Sequence, residues 1–543
     1  MEAVTTRAAA LARAETVLVA GLAAAAAGAV AAFAPPGGDA AAHLYRTELV
    51  RDGVRLWDNL WYGGHYPLTS YSLLYYLAAA AVGNLPLVLG AAVASAVLFE
   101  SVAADEWGED AARWPARAFA VVAAGPVFTG TYTFALGVAA GLAAVRLAQL
   151  GRRWPAVACA ALALGFSPLA FVFLALVLGA ALTARRRLSP DVLVLGASLA
   201  LLALLQLLVV LVFPSSGRYS FSLLSLAGVL ALAALGAALA ARSGRAQVLV
   251  ALFVLWGLAN LVSFAVPSPF GDNLARLRHF VLPLVLLAAV LARFRPRPLA
   301  AAALAVALVY NLGPDVSAAV KRAGDRSAEP AYWAPALAFL HERMTPDHRV
   351  AVVPLFSHYE AYYVPRSGFA LARGWYRQID IAENPELYRR PLTREAYRRW
   401  LKRLGVRYVL LPSERLGPMG ADREAELLRS GEAGLPVVWR TRDWTVYEDP
   451  TATPIITGAA GARVETLGHT RIAATVDAPG VYRLRVRHTP YWRVAAGAVC
   501  VERAPDGMTR IVAREAGRFV LAPPAGASGV LRAAFRDRGS GCR

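Results

Sequence analysis

From residue 16 to residue 312 the sequence is a succession of apolar runs separated by short polar breaks, and after Pro314 such runs stop. This pattern constrains the fold more than any other feature. A helix rises 1.5 Å per residue, so about 20 apolar residues cross the roughly 30 Å hydrocarbon layer. A soluble domain carries roughly 25% charged residues. Here 17% are charged and 57% are hydrophobic, too little polar surface to cover such a core in water. The same composition excludes disorder, collagen-like and disulfide-scaffold classes. Of the three cysteines, Cys159 lies inside an apolar run, so at most one disulfide can form, Cys500–Cys542. The class is a polytopic membrane protein.

Eleven spans are expected: 16–34, 86–104, 118–131, 133–150, 155–166, 168–184, 192–213, 223–241, 246–266, 280–292 and 298–312. The shortest of these suit half-helices buried among others. A cleaved signal peptide is the rival reading of the first run, but a proline would follow its small-residue site and many spans come after. The net charge of +19 resides almost wholly in arginine, since Lys321 and Lys402 are the only lysines. Nucleic-acid binding would be one reading of that charge. The arginines cluster at the ends of apolar runs, where membrane topology explains them, and no nucleic-acid partner is expected. With a cytoplasmic N-terminus, fourteen arginines of the membrane part fall inside and six outside, as the positive-inside rule requires. Counting 68–82 as a span would reverse this and put the cluster Arg185, Arg186 and Arg187 outside. That stretch, with Tyr71, Tyr75 and Tyr76, is therefore read as an interfacial or re-entrant helix.

The expected organisation is a membrane domain over 1–314 with a long outer loop at 35–67, an extracytoplasmic α/β domain over 315–450, and a small β-sandwich over 451–543. HRVAVVPL and VRYVLLPS read as strands, with EAYRRWLKRLG between them as a helix stopped by Gly405. PVVWRTRDWTVYEDP reads as a hairpin, and the segment after Thr451 alternates apolar and polar residues between Pro-Gly turns.

The outer loop, PPGGDAAAHLYRTELVRDGVRLWDNLWYGGHYP, gathers the side chains that can do chemistry. Asp39 follows the first span behind two glycines. A carboxylate there can serve as a general base toward a hydroxyl or ligate a divalent cation, and GGD before AAAHLYRTELVRDG is also a good helix N-cap. His43 falls one turn beyond Asp39 on the same face; His65 and Asp58 are accessory candidates, and two or three such residues leave the metal unassigned. The segment SPFGDNLARLRHF places Asn273, Arg276 and Arg278 at the outer start of a span, where arginines can grip a lipid phosphate or simply meet headgroups. FPSSGRYSFS offers Arg218 and Tyr219 for the same two roles. No phosphate-binding loop, dinucleotide fingerprint, HExxH, CxxC or GxSxG motif is present. Intramembrane charge is too sparse for an ion or proton transporter.

One span, a long outer loop opening with an acidic residue, many further spans and an outer α/β-plus-β domain together resemble the GT-C superfamily of membrane glycosyltransferases. More closely, GGDAAAHLYR, LWDNLWYGGHYPLTSYSLLYY, FPSSGRYSF and GDNLARL resemble the bacterial integral membrane proteins labelled "6-pyruvoyl-tetrahydropterin synthase-related". Nothing in the residues suggests pterin chemistry. The resemblance implies a GT-C-like helical fold in the inner (plasma) membrane and an inverting transfer at its outer face. The donor would be a polyprenyl-phosphate sugar, the acceptor a cell-envelope glycan or lipid, and the base Asp39. Arg276, Arg278, Arg218, Tyr219 and Asn273 would then hold the donor or its phosphate. Asp39 is followed by Ala40 where the superfamily's paired motif has a second acid, so a divalent cation is an optional cofactor. The alternative is a non-catalytic membrane protein whose outer domain binds envelope components.

Overall fold

The computed structural model describes residues 2–64, 66–67, 71–185, 190–213, 217–524, 526–535 and 542. Its helices in chain order are α1 (Glu2–Phe33), α2 (Ala40–Arg51), α3 (Tyr75–Val82), α4 (Asn84–Trp107), α5 (Glu109–Val122), α6 (Gly125–Thr129), α7 (Tyr132–Gln149), α8 (Arg153–Phe166), α9 (Pro168–Arg185), α10 (Pro190–Val212), α11 (Leu223–Ala240), α12 (Gln247–Ala265), α13 (Val281–Leu291) and α14 (Arg297–Arg322). A 3-10 helix, Gly271–Phe280, leads directly into α13. Two compact units result. The helical unit comprises Met1–His43, Tyr71–Leu211 and Arg218–Ala323; the other comprises Leu44–Ser70, Val212–Gly217 and Gly324–Arg543.

Among the described residues of the helical unit, nine helices are long and apolar enough to cross a membrane. Two of the eleven expected spans differ from these nine. The stretch 118–131 is divided between α5 and α6, because Pro126 has no N–H to continue the ladder of α5. The stretch 155–166 is the 14-residue α8, about 21 Å long. The region 68–82 holds the eight-residue α3, too short to cross. The last expected span, 298–312, runs on as α14 to Arg322, so the boundary drawn at 314 falls inside a helix.

The second unit holds three four-stranded sheets. Its strands are β1 (Trp57–Asp58) and β2 (Tyr66–Pro67) from the first loop, then β3 (Arg349–Val352), β4 (Val406–Pro412), β5 (Val437–Arg440) and β6 (Trp444–Glu448), then β7 (Ile456–Gly458), β8 (Ala462–Leu467), β9 (Ile472–Val476), β10 (Gly480–Arg487), β11 (Arg493–Ala496), β12 (Val499–Arg503), β13 (Met508–Ala513) and β14 (Gly517–Ala522). The first sheet has the order β3-β4-β6-β5, with β3 and β4 parallel and the rest antiparallel. A parallel pair needs a crossover. Here helices α16 (Glu360–Arg366), α17 (Arg377–Glu383) and α18 (Arg394–Leu404) supply it, following α15 (Pro330–Arg343). The Thr393 hydroxyl caps α18 by accepting from the Ala396 N–H, and Gly405 ends it in the left-handed conformation. Two further helices are α19 (Ala421–Arg429) and α20 (Gly526–Phe535).

The other two sheets, β12-β13-β10-β7 and β11-β14-β9-β8, are antiparallel and form the sandwich. Alternate residues of β10, Tyr482, Leu484 and Val486, face a core shared with Ile472, Ala474 and Val476 of β9, as the two-residue period of a strand dictates. The Cys500–Cys542 disulfide is formed, and Cys159 is free.

The expected domain plan placed the whole loop 35–67 with the membrane part. In the structure only its start, through His43, belongs to the helical unit. The rest is stitched into the second unit. Leu371 N–H donates to Leu60 O at 2.8 Å, Asn59 N–H to His469 O at 2.8 Å, and Trp61 Nε1 to Ala361 O at 3.1 Å. Trp57, Leu60, Trp61 and Tyr62 are buried there. Large apolar side chains gain more from a ready-made core than from solvent exposure.

Candidate functional site

Asp39 lies in the turn just before α2, and its carbonyl accepts the His43 N–H at 3.4 Å as the helix begins. The turn is clamped from two sides. On one side it lies on the end of α6: Asp39 N–H donates to Thr129 O at 3.2 Å. The backbones approach so closely that a methyl on Gly130 would stand 2.5 Å from the Ala40 nitrogen, and one on Gly37 would collide with the Gly130 nitrogen. Gly130 also has φ +81°, a conformation that other residues adopt only under strain. On the other side is Arg322, the last residue of α14, only 2% exposed. Its Nη1 donates to Pro36 O at 2.7 Å and to Phe128 O at 3.2 Å, its Nε donates to Ala318 O at 3.3 Å, and its guanidinium lies 4.5 Å from the centre of the Phe128 ring. One cation thus ties the Asp39 turn, α6 and α14 together.

Beside this turn stands Arg276, whose Nη2 is 3.8 Å from Asp39 Oδ2. The pair is neither sealed nor open: the side chains are 21% and 17% exposed. Tyr71, Tyr219 and Asp272 lie within electrostatic reach of the same guanidinium. Asp272 is held by the Ser225 hydroxyl, which donates to its Oδ1 at 2.8 Å. Tyr219 approaches through its backbone: its N–H donates to Ser268 O at 3.1 Å, and its carbonyl lies where a side chain on Gly271 would go.

The two arginines of the LARLRH segment part company. In a 3-10 helix, with three residues per turn, positions two apart point about 120° away from each other. Arg276 meets Asp39, whereas Arg278 lies within reach of Tyr310 and Asp315 on α14. Asn273 shares the Arg276 face by the i, i+3 spacing; its N–H donates to Phe270 O at 2.8 Å. Arg218 is exposed and forms no ion pair among the described residues.

His43 belongs to the same unit but is 1% exposed, within a cage of Tyr71, Tyr75, Tyr76 and Tyr132 whose ring centres lie 5.5–5.9 Å away. Its Nδ1 and the Tyr76 hydroxyl are 3.0 Å apart. Asp58 is in the second unit and is taken up there: the Tyr45 hydroxyl donates to its Oδ2 at 2.8 Å, and His469 Nδ1 is 2.9 Å from its Oδ1. Burial works against charging His469, but the hydrogen bond to Asp58 and its negative charge prevail, so its pKa is raised. His65 lies outside the described residues. Among the described residues no group of three or more His, Cys, Asp or Glu side chains is placed to hold a metal ion.

Sequence reasoning did not single out Arg322, Gly130 or the cage tyrosine Tyr132. Arg322 falls beyond the boundary drawn at 314, and Gly130 sits between two apolar stretches, where it reads as an ordinary turn. The one usable signal was the pair of glycines before Asp39, matched by a lone glycine in FTGTYTF.

Nine long apolar helices among the described residues and a sheet-bearing C-terminal region define a multi-pass membrane protein with an additional folded unit. No protein-family model matches the chain, and no curated protein matches it. Among solved structures it is similar to the oligosaccharyltransferase AglB of Archaeoglobus fulgidus in complex with an inhibitory peptide and a dolichol-phosphate, with 12% identity and a TM-score of 0.40 over 73% of this chain and 69% of that one. The same organism's oligosaccharyltransferase tethered to an acceptor peptide containing the NVT sequon gives 12% and 0.41 over the same shares. Its apo form gives 11% and 0.41, again over 73% and 69%.

Proposed function

We propose that the chain is a GT-C-like glycosyltransferase that moves a sugar from a polyprenyl-phosphate donor to a cell-envelope glycan or lipid, with Asp39 as base. The observation that carries this reading is the Asp39–Arg276 pair, 3.8 Å apart and partly exposed, on a turn fixed by Gly37, Gly130 and Arg322. An acceptor hydroxyl is a weak nucleophile until a base removes its proton as the new bond forms, and such help is worth about 10²–10⁴ in rate. A carboxylate does this only if held still and kept ionised. The backbone clamp supplies the first condition and the neighbouring guanidinium the second.

In the same reading Arg276 faces the phosphate that leaves with the lipid, and Asn273 and Tyr219 border it. Two guanidinium donors can accept the growing negative charge on the departing phosphate oxygen. Arg278, turned toward α14, would reach that phosphate from the other side of the 3-10 helix. Attack on the face opposite the leaving group inverts the anomeric centre. The active face would be extracytoplasmic, with a cytoplasmic N-terminus, as the arginine distribution suggests. A divalent cation would find Asp39 and Asp272 each within electrostatic reach of Arg276, but no group of three ligands among the described residues.

The test is a membrane assay with a radiolabelled polyprenyl-phosphate sugar. Membranes containing the chain should pass label to an envelope glycan or lipid, and membranes without it should not. Label that stays on the donor in both, across a panel of sugars, would favour the non-catalytic, envelope-binding alternative.

A further inference from the structure

The sheet β3-β4-β6-β5 carries a pocket that the transfer chemistry does not use. It lies where β4 ends and the β5–β6 hairpin turns, with a volume of about 180 Å³. Open sheets with parallel strands tend to bind ligands just outside the carboxyl ends of those strands, and β3 and β4 are this sheet's parallel pair. The floor is apolar and fixed, formed by Leu411, Trp444 and Tyr447, all buried. The rim is different. Arg429 from the last turn of α19, Arg440 from the end of β5 and Arg442 from the hairpin turn all line the pocket and are exposed.

The pocket's only carboxylate, Asp443, is already committed. Its Oδ1 is 2.5 Å from Arg326 Nη2, and Arg326 also binds Glu414 at 3.0 Å. Among the described residues, Arg429, Arg440 and Arg442 form no ion pair with any carboxylate. Some other exposed arginines of this unit do find one: Arg483 pairs with Asp506, Arg518 with Glu465 and Arg510 with Glu502. Three like charges drawn to one concavity repel each other unless something neutralises them.

We propose that this pocket binds a phosphoryl group, free or carried on a larger envelope molecule. A carboxylate is satisfied by a single bidentate guanidinium. Three guanidinium groups lining one pocket match an oxyanion with at least three oxygens and up to two charges. The volume suits it: water takes about 30 Å³ per molecule in the liquid, so the pocket admits a tetrahedral anion with a few bridging waters. The inference stands apart from the transfer reaction, and either can fail without the other.

The experiment uses the full chain in phosphatidylcholine nanodiscs and reads arginine modification by phenylglyoxal, residue by residue, by mass spectrometry. Inorganic phosphate, compared with chloride at equal ionic strength, should slow modification of Arg429, Arg440 and Arg442 several-fold. The exposed Arg463 and Arg471 should be unaffected. In the double variant R440A/R442A, phosphate should no longer protect Arg429. Both substituted side chains are exposed, so the fold is not at risk. Added phosphatidylglycerol vesicles distinguish the source: protection by phosphate and vesicles together points to a lipid headgroup, and protection by phosphate alone to a free or glycan-borne phosphoryl group. Equal effects of phosphate and chloride, uniform slowing of every exposed arginine, or protection by vesicles alone would overturn the proposal.

Discussion

Helix α10 runs for 23 residues without one buried side chain, whereas on β10 Tyr482, Leu484 and Val486 are all fully enclosed. Both segments are rich in large apolar residues. The second unit excludes water with its own side chains, including Trp333, Trp400, Trp444 and Trp492. The helical unit leaves Leu201, Leu204, Leu207 and Leu211 facing outward, as a chain does when lipid takes the place of a core. Polar groups follow the same division. The second unit buries a complete ion cluster, Arg373 with Asp380 and Glu424, supported by Tyr388, Tyr397 and Asn384. In the helical unit a carboxylate and a guanidinium remain partly exposed at a backbone clamp. Charges sealed on every side serve structure; a pair left accessible can meet a ligand.

The largest effect expected from this contrast is at Arg373. R373A would leave Asp380 and Glu424 without their shared cation in a site where burial already raises the Glu424 pKa. Breaking a buried pair from one side costs about 3–5 kcal/mol. The tryptophan-fluorescence melt of the second unit should shift down sharply, while the helical content of the membrane unit persists.

Next is the clamp. G130A places a side chain at φ +81° and within 2.5 Å of the Ala40 nitrogen, which should cost roughly 1–3 kcal/mol locally. Amide exchange over residues 37–43 should rise, and sugar transfer should fall with little change in donor KM. Unchanged exchange would mean that the turn does not depend on the close backbone approach.

A smaller, pH-dependent effect belongs to His469. Its folded-state pKa lies above the unfolded value of about 6.5, because Asp58 outweighs the burial that opposes charging. The stabilisation is therefore complete below pH 6.5 and is lost as pH rises through the folded-state pKa. In H469Q the pH difference curve for unfolding should be flat over that window. An identical curve in both proteins would remove His469 from the account.

Smallest is L207A on α10, expected to change thermal stability by no more than about 0.5 kcal/mol, because that side chain is exposed. A loss of several kcal/mol would show that α10 is covered by protein.

Much of this contrast was legible in the sequence. Apolar runs and arginine-rich ends marked the helical unit, since they answer directly to membrane thickness. Two-residue alternation marked β9, β10 and β13, and Gly405 marked the end of α18. The division of the first loop was not legible. Nothing local in LWDNLWYGG says that Trp57 and Trp61 will enter a core built some 300 residues later in the chain, because that partner forms only by long-range packing. At the site, Asp39 and Arg276 were readable as residue types at the ends of spans. Their juxtaposition was not, nor was the approach of Arg278 to Tyr310 and Asp315 on α14. Arg322 was invisible for a related reason: its acceptors are backbone carbonyls, which leave no mark in composition.

The central claim is that the charge of Asp39, rather than its place at the head of α2, is what the protein uses. D39N separates the two, since asparagine caps a helix as well as aspartate does but cannot take a proton from a hydroxyl. The decisive measurement is the transfer rate of this variant with a radiolabelled polyprenyl-phosphate sugar, taken on the same preparation as its thermal melt. The expected result is a melt within a degree or so of the wild type and a rate lower by about 10²–10⁴. Transfer at the wild-type rate with an unchanged melt would contradict it, leaving Asp39 as a helix cap and Arg276 as its companion.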